Sequence, residues 1–261
     1  DFAWAEAYQR HGLPYYPKLL IAIPFTPSRG PRLLIDPAVR TRLSPGDIPA
    51  LLDEVIADLN VHSWHLLFPD PKDQELLGME EELHRVGCQF HWYNHGYKTF
   101  DDFLARLTSR KRKAIRKERR QVADQGISFR RYSGRDIPDH VLSGFYVFYQ
   151  ATYLKRGQRP YLNRAFFEHL GLALGERVVL ISAERGGAMV ASALNLRSDT
   201  ALFGRYWSAR EEHDFLHFEL CFYQGIDYAI AHGLARFEGG AQGEHKLKRG
   251  FAPTLTSSAH W

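Results

Sequence analysis

An α/β fold is predicted by three observations: short apolar runs that read as strands, helical stripes that alternate with them, and glycine and proline punctuation between the two. In the first part of the chain, 18–23 reads as a buried strand ended by Pro24, and 64–68 as a short strand ended by Pro69. Apolar residues at 51, 52, 55, 56 and 59 place a helix over 50–59. Helices over 4–11 and 73–82, a short strand over 32–35 and a strand over 88–93 complete that part. The stretch 100–122 reads as one helix or two abutting ones, closed by Gly126. After it come a strand at 127–131, an aromatic-rich helix at 137–153, a polar break at 155–160 and a helix at 163–174. Strands at 177–184 and 188–196 are joined by the tight turn Arg185-Gly186-Gly187. A strand at 199–207 follows, then a helix over 214–231 with Leu216, Leu220, Ile226 and Ile230 as core candidates, stopped by Gly233. A last strand at 234–237 runs into Gly239, Gly240 and Gly243. The pattern makes two α/β units with a boundary near 100–125.

The 261 residues are 44% hydrophobic and 25% charged, which is globular composition and excludes a disordered tail, a collagen-like rod or a simple coiled coil. The chain opens without an initiator Met, which reads as a fragment or a trimmed chain. Two cysteines, Cys88 and Cys221, cannot build a disulfide framework and point to a reducing compartment, the cytoplasm. No apolar run reaches the length of a membrane span. The net charge of +4 comes from one place: 110–120 holds eight basic residues against Glu118 alone. Such an element calls for a polyanionic partner. One basic helix is no helix-turn-helix and no zinc-finger spacing accompanies it, so sequence-specific DNA binding is not expected.

Three polar clusters are candidates for chemistry. The densest is 237–246, where Glu238, Glu244 and His245 can act as bases, Lys246 and Arg249 can hold negative charge, and the glycines let backbone approach a ligand. A second runs from Arg205 and Tyr206, at a strand end, to His217 and Glu219. Glu219 lies between Phe218 and Leu220 and needs a partner or a raised pKa if buried; His217 reads as a structural hydrogen-bond partner. The third, 153–161, puts Lys155, Arg156, Arg159 and the phenols of Tyr153 and Tyr161 in a helix break that can clamp a phosphate or carboxylate. Cys221, a small thiol inside a helix, reads as core. Glu244 and His245 are adjacent and no zinc-ligand spacing recurs, so no metal is expected. G-x-G-x-x-G, Walker A and G-x-S-x-G motifs are all missing.

The segments 109–122 (SRKRKAIRKERRQV), 153–161 (YLKRGQRPY), 204–207 (GRYW), 216–220 (LHFEL) and 238–250 (EGGAQGEHKLKRG), with 89–92 (QFHW) and 16–18 (YPK), resemble the bacterial FemAB-like proteins, labelled peptidoglycan biosynthesis or GNAT-type N-acyltransferase proteins. The resemblance covers essentially the whole chain. It implies tandem acetyltransferase-like (GNAT) domains with mixed twisted sheets flanked by helices: 1–100 as the C-terminal part of a first domain, 101–125 as a basic linking helix and 126–261 as a second domain. About the first quarter of a family member and a short tail would then be absent. Better-studied relatives move amino acids from aminoacyl-tRNA to an amine on a cell-wall precursor, and GNAT enzymes move acyl groups from coenzyme A. The GNAT pyrophosphate loop is missing between 199–207 and 214–231, where Ser208, Ala209 and Arg210 stand instead.

The implied function is N-acyl transfer from acyl-CoA or aminoacyl-tRNA to an amine, with a lipid-linked cell-wall precursor as the acceptor. The relatives' basic segment opens the second domain beside the substrate groove, which assigns Arg112, Lys113, Arg116 and Lys117 to a phosphate-bearing substrate or tRNA. Their lysine before a Lys-Gly-Phe-like turn matches Lys246 or Lys248. Glu219, Glu238 or Glu244, then His245, would accept the amine proton. Backbone N–H groups of 239–243 would hold the oxyanion, and Tyr206 would protonate the leaving group. Arg205, Lys246, Arg249, Lys155, Arg156, Arg159 and Tyr161 would hold phosphate. The rival reading is a non-catalytic nucleic-acid or envelope-precursor binding module on the same scaffold.

Overall fold

The computed structural model describes residues 2–78, 84–241 and 243–261. The end of the expected 73–82 helix and Gln242 of the glycine-rich cluster fall outside them. The chain forms two compact units, 1–89 with 254–261, and 90–253. This division differs from the sequence reading. The C-terminal segment returns to the first unit, which no boundary placed along the sequence can express, and the basic helix lies inside the second unit rather than between two.

In the first unit, β1 (Leu19–Ile21) pairs parallel with β2 (Trp64–Leu67), and β9 (Ala252–His260) runs antiparallel to β2. Its core gathers Trp64, Leu66 and Ala259 with Ile48 and Ile56 of α3 (Asp47–Asp58) and Leu77 of α4 (Pro71–Leu77). The expected strand at 32–35 is not one. The buried Asp73 carboxylate accepts the N–H groups of Arg32 and Leu33, at 2.6 and 3.1 Å, and so satisfies them without a neighbouring strand. α1 (Phe2–Arg10) follows the sequence reading; the short α2 (Pro37–Arg40) was not foreseen.

The second unit is a mixed sheet with helices on both faces. Its strands follow the order β3-β8-β7-β6-β5-β4, with the end of β3 (His84–Tyr93, of which 90–93 belong to this unit), β4 Ile127–Ser133, β5 Val178–Arg185, β6 Ala188–Arg197, β7 Ala201–Ala209 and β8 Arg236–Glu238. β4 to β7 form an antiparallel meander, β7 and β8 are parallel, and β8 is antiparallel to β3. Alternation along β5 sends Val178 and Leu180 to one core and Val179, Ile181 and Ala183 to the other. The first core packs under α7 (Asp139–Leu154) and α8 (Arg164–Leu174). The second packs under α5 (Phe100–Ala105), α6 (Ser109–Asp124) and the helical segment α9 (Leu216–Phe218), a π turn (Glu219–Tyr223) and α10 (Gln224–Ala231).

Local chemistry sets the breaks. Two threonine caps, Thr99 and Thr108, make 100–122 two helices rather than one. Phe215 sits in the left-handed region (φ 61°), so the expected 214–231 helix starts at Leu216. Gly225 lets α10 lie against the Phe237 ring, 2.5 Å from where a Cβ would be. Gly225→Ala is therefore expected to lower stability by about 1–3 kcal/mol through overpacking, as chemical denaturation would read.

Candidate active site

β7 and β8 pair only at Ala201–Arg236, Leu202–Phe237 and Phe203–Glu238. Beyond Phe203, β7 continues along β6 to Ala209, while the chain after Glu238 turns away through Gly239 and Gly240. The parting strands expose one edge of β7. On its other edge Leu194 faces Tyr206 and Asn195 faces Gly204, so Arg205 is the extra residue of a β-bulge. A cleft of ≈ 170 Å³ opens there, walled by Asn195, Arg205, Tyr206, Trp207, His217, Cys221, Phe222, Gly239, Gly240, His245 and Lys246.

Lys246 is 2% exposed and donates from Nζ to the Gly240 carbonyl at 2.6 Å. Burial pushes its pKa down to about 8. His217 packs edge-on against Trp207 and His245, with ring centroids 5.1 and 6.4 Å away. Burial, then the neighbouring His245, Arg249 and Lys246, lowers its pKa to about 4. Burial and the cations Arg249 and Lys246 also lower that of His245. Both rings are therefore neutral at pH 7. The Tyr206 hydroxyl shares a 2.8 Å hydrogen bond with the Tyr161 hydroxyl, and burial with that bond keeps the Tyr206 phenol protonated. Burial likewise raises the Cys221 pKa and leaves a thiol without thiolate character.

The cleft thus collects Arg205, Tyr206, His245 and Lys246, and Tyr161 reaches it through Tyr206. The other expected residues lie elsewhere. Glu219 is buried in an ion pair with Arg119 (3.1 Å) and accepts from Gln224 Nε2 (2.8 Å). Burial raises its pKa, but it does not line the cleft. Glu238 is buried and accepts from Arg236 Nε at 2.9 Å. It sits on β8 next to Phe237, whose side chain joins the core beside α10, so alternation turns Glu238 to the other face of the sheet. Glu244 is exposed and outside the lining.

Arg249 is not available to phosphate. Its guanidinium donates to Glu118 through Nε and Nη2 (3.2 and 2.8 Å) and to the His245 carbonyl through Nη1 (3.0 Å), and lies 3.4 Å over the Phe218 ring. On α6, Lys111 donates to the Leu247 carbonyl (2.9 Å) and Arg119 reaches Asp227 (2.8 Å), while Arg116 pairs with the exposed Asp101 (2.9 Å). Arg112, Lys113, Arg116 and Lys117 do not line the cleft. Lys155 and Arg156 line a second cavity, of ≈ 530 Å³, which shares Trp207 and His217 with the first and also holds Glu211, Glu212, His213 and Asp214. Arg159 is exposed and lines neither. Among the described residues no group of three metal-ligating side chains occurs and no helix is long and apolar enough to cross a membrane.

Sequence reasoning passed over Asn195, although a polar residue amid the apolar run 190–196 was a signal. It also took His217 as structural, because the wall that His217 shares with Lys246 exists only once the 244–249 turn has folded back.

Several solved structures share this fold. L-PGS from Bacillus licheniformis superposes with a TM-score of 0.58 at 11% identity, covering 82% of this chain and 71% of that one. The C-terminal domain of a putative lysylphosphatidylglycerol synthetase from Agrobacterium fabrum gives 0.56 at 14%, covering 82% and 72%. FemX gives 0.54 at 13%, covering 91% and 82%. No curated protein matches in sequence. The FemAB-like family model, described as peptidoglycan biosynthesis/recognition, matches residues 1–261, and the chain belongs to that family.

Proposed function

We propose that the protein is an N-acyltransferase that moves an acyl or aminoacyl group from an activated donor to an amine, with the reacting carbonyl in the β7–β8 cleft. The observation that carries this reading is the buried Lys246 ammonium among the residues that line a cleft made by two parting parallel strands. A cation held by one carbonyl has donors left for an oxygen that becomes negative, and burial strengthens that interaction. The amine attacks the carbonyl carbon and its C–N bond forms. His245, neutral, exposed and in the cleft lining, takes the amine proton. The C–S or C–O bond to the donor breaks, and Tyr206, protonated and rimming the cleft, gives its proton to the leaving group.

The donor is acyl-CoA or aminoacyl-tRNA, and the half-buried Arg112 and exposed Lys113, Arg116 and Lys117 on α6, with the exposed Lys155, Arg156 and Arg159, supply attraction for its phosphates. The acceptor is an amine on a cell-envelope precursor. Support comes from the family's peptidoglycan description and from fold-sharing proteins named FemX and lysylphosphatidylglycerol synthetase. Two acetyltransferase-like domains in tandem, in a cytoplasmic protein, complete the proposal.

Purified protein should transfer label from acetyl-CoA or alanyl-tRNA to a peptide carrying a free lysine amine. The rate should rise with pH as His245 deprotonates, below its ordinary 6.5, and fall above about 8 as Lys246 loses its charge. Binding of both donors with no turnover at any pH would leave only a binding module. A rate still climbing past pH 9 would remove the Lys246 ammonium from the mechanism.

A further inference from the structure

We propose that the Asn195 side-chain amide is a second donor to the acyl carbonyl oxygen, a catalytic residue acting beside Lys246; this rests on the transferase reading above. Asn195 lies on β6 between Leu194 and Leu196 and is 3% exposed. Its Nδ2 is buried and has no hydrogen-bond partner. A buried amide left unpaired is costly in a folded protein, and most such groups find a partner. Asn195 is nonetheless one of the residues that line the cleft. The structure therefore keeps an unsatisfied donor on a lining residue, just beneath the cleft surface.

The surroundings say what it is meant to meet. Across the strand pair stands Gly204, and a Cβ there would lie 3.6 Å from Asn195 Oδ1 and 3.5 Å from Gly239 Cα. The missing side chain leaves open the space between the amide and the Gly239–Gly240 turn. Lys246, another lining residue, donates from Nζ to the Gly240 carbonyl in that turn. Two residues that carry donors thus line one cleft with the glycine turn, and no carboxylate lines it to answer them. Their common target is an atom rich in lone pairs that gains charge during the reaction. A carbonyl oxygen on its way to a tetrahedral oxyanion has that property, and donors placed in advance stabilise it most.

The test compares wild type, Asn195→Leu and Gly204→Ala, with acetyl-CoA and alanyl-tRNA as donors and the lysine peptide as acceptor, and reads kcat, KM and Tm. Loss of one oxyanion donor should lower kcat about 10²–10³-fold with KM little changed. Asn195→Leu removes an unpaired polar group, so its Tm should equal or exceed that of wild type. Gly204→Ala adds only ordinary contacts, so it should fold normally while filling the space beside the amide, with a fall in kcat. An Asn195→Leu kcat within threefold of an active wild type overturns the assignment. So does a Tm that falls together with activity, because the amide would then be structural. Absence of transfer by wild type from both donors is a different result: it removes the transferase reading and, with it, this role for Asn195.

Discussion

Replacing Glu118 by alanine is expected to destabilise the protein by about 3–5 kcal/mol. Glu118 is the single acid in the basic run of α6, and its carboxylate is the hub of the region under the cleft. It accepts two hydrogen bonds from Arg249 and one from the Tyr223 hydroxyl. Arg249 is 6% exposed and ties the same carboxylate to the His245 carbonyl. Without Glu118 a guanidinium stays buried with no counter-charge, which is the costly way to break an ion pair. The loss should be visible in urea denaturation, and hydrogen exchange should locate it in the turn Glu244–Arg249. Glu118→Gln keeps the shape and loses the charge, so it should fall between. A loss under about 1 kcal/mol for Glu118→Ala would show that the turn is held by its apolar contacts instead.

Lys246→Met should act in the opposite direction on stability and slow transfer strongly. The Lys246 pKa falls from 10.5 to about 8 on folding, so below pH 8 the folded state carries a charge that burial disfavours. An apolar side chain of similar length removes that penalty, and the gain at pH 7 should be about 1–3 kcal/mol, reduced by the lost bond to the Gly240 carbonyl. The sign of the pH dependence follows. Between about 8 and 10.5 the unfolded chain binds more protons than the folded one, so wild-type stability rises relative to the variant and the gap closes. Transfer should fall at least about 10²-fold, the scale of a lost oxyanion donor. A variant that is both less stable and fully active would mean that Lys246 is a structural lysine.

Much of the fold was legible in the sequence because period and punctuation carried it. Strands β5, β6 and β7 and helices α7 and α8 follow apolar runs closed by glycines and polar breaks. What stayed hidden depends on distant partners. β9 has the weakly apolar sequence APTLTSSAH and becomes a strand by pairing with β2. Residues 32–35 look like a strand, yet the Asp73 carboxylate takes their N–H groups. The site divided in the same way. Arg205, Tyr206, His245 and Lys246 stand out in the sequence as polar residues beside glycines, and the fold brings these four together in one cleft. Glu219 and Arg249 share that density, but their partners Arg119 and Glu118 lie a hundred or more residues away and bind them into the frame. A single sequence shows no such distant partner, so a buried structural carboxylate and a reactive one look alike.

In the proposed mechanism the reacting carbonyl sits between β7 and β8 beside Lys246. The direct test is a crystal structure with an S-(2-oxopropyl) analogue of the acyl donor, a non-reactive thioether that keeps a ketone oxygen. The ketone oxygen should point at Lys246 Nζ and Asn195 Nδ2, with the donor phosphates toward the cations of α6 or of Lys155 and Arg156. An analogue bound along the outer face of α6, with its acyl end in solvent and the cleft empty, would contradict it.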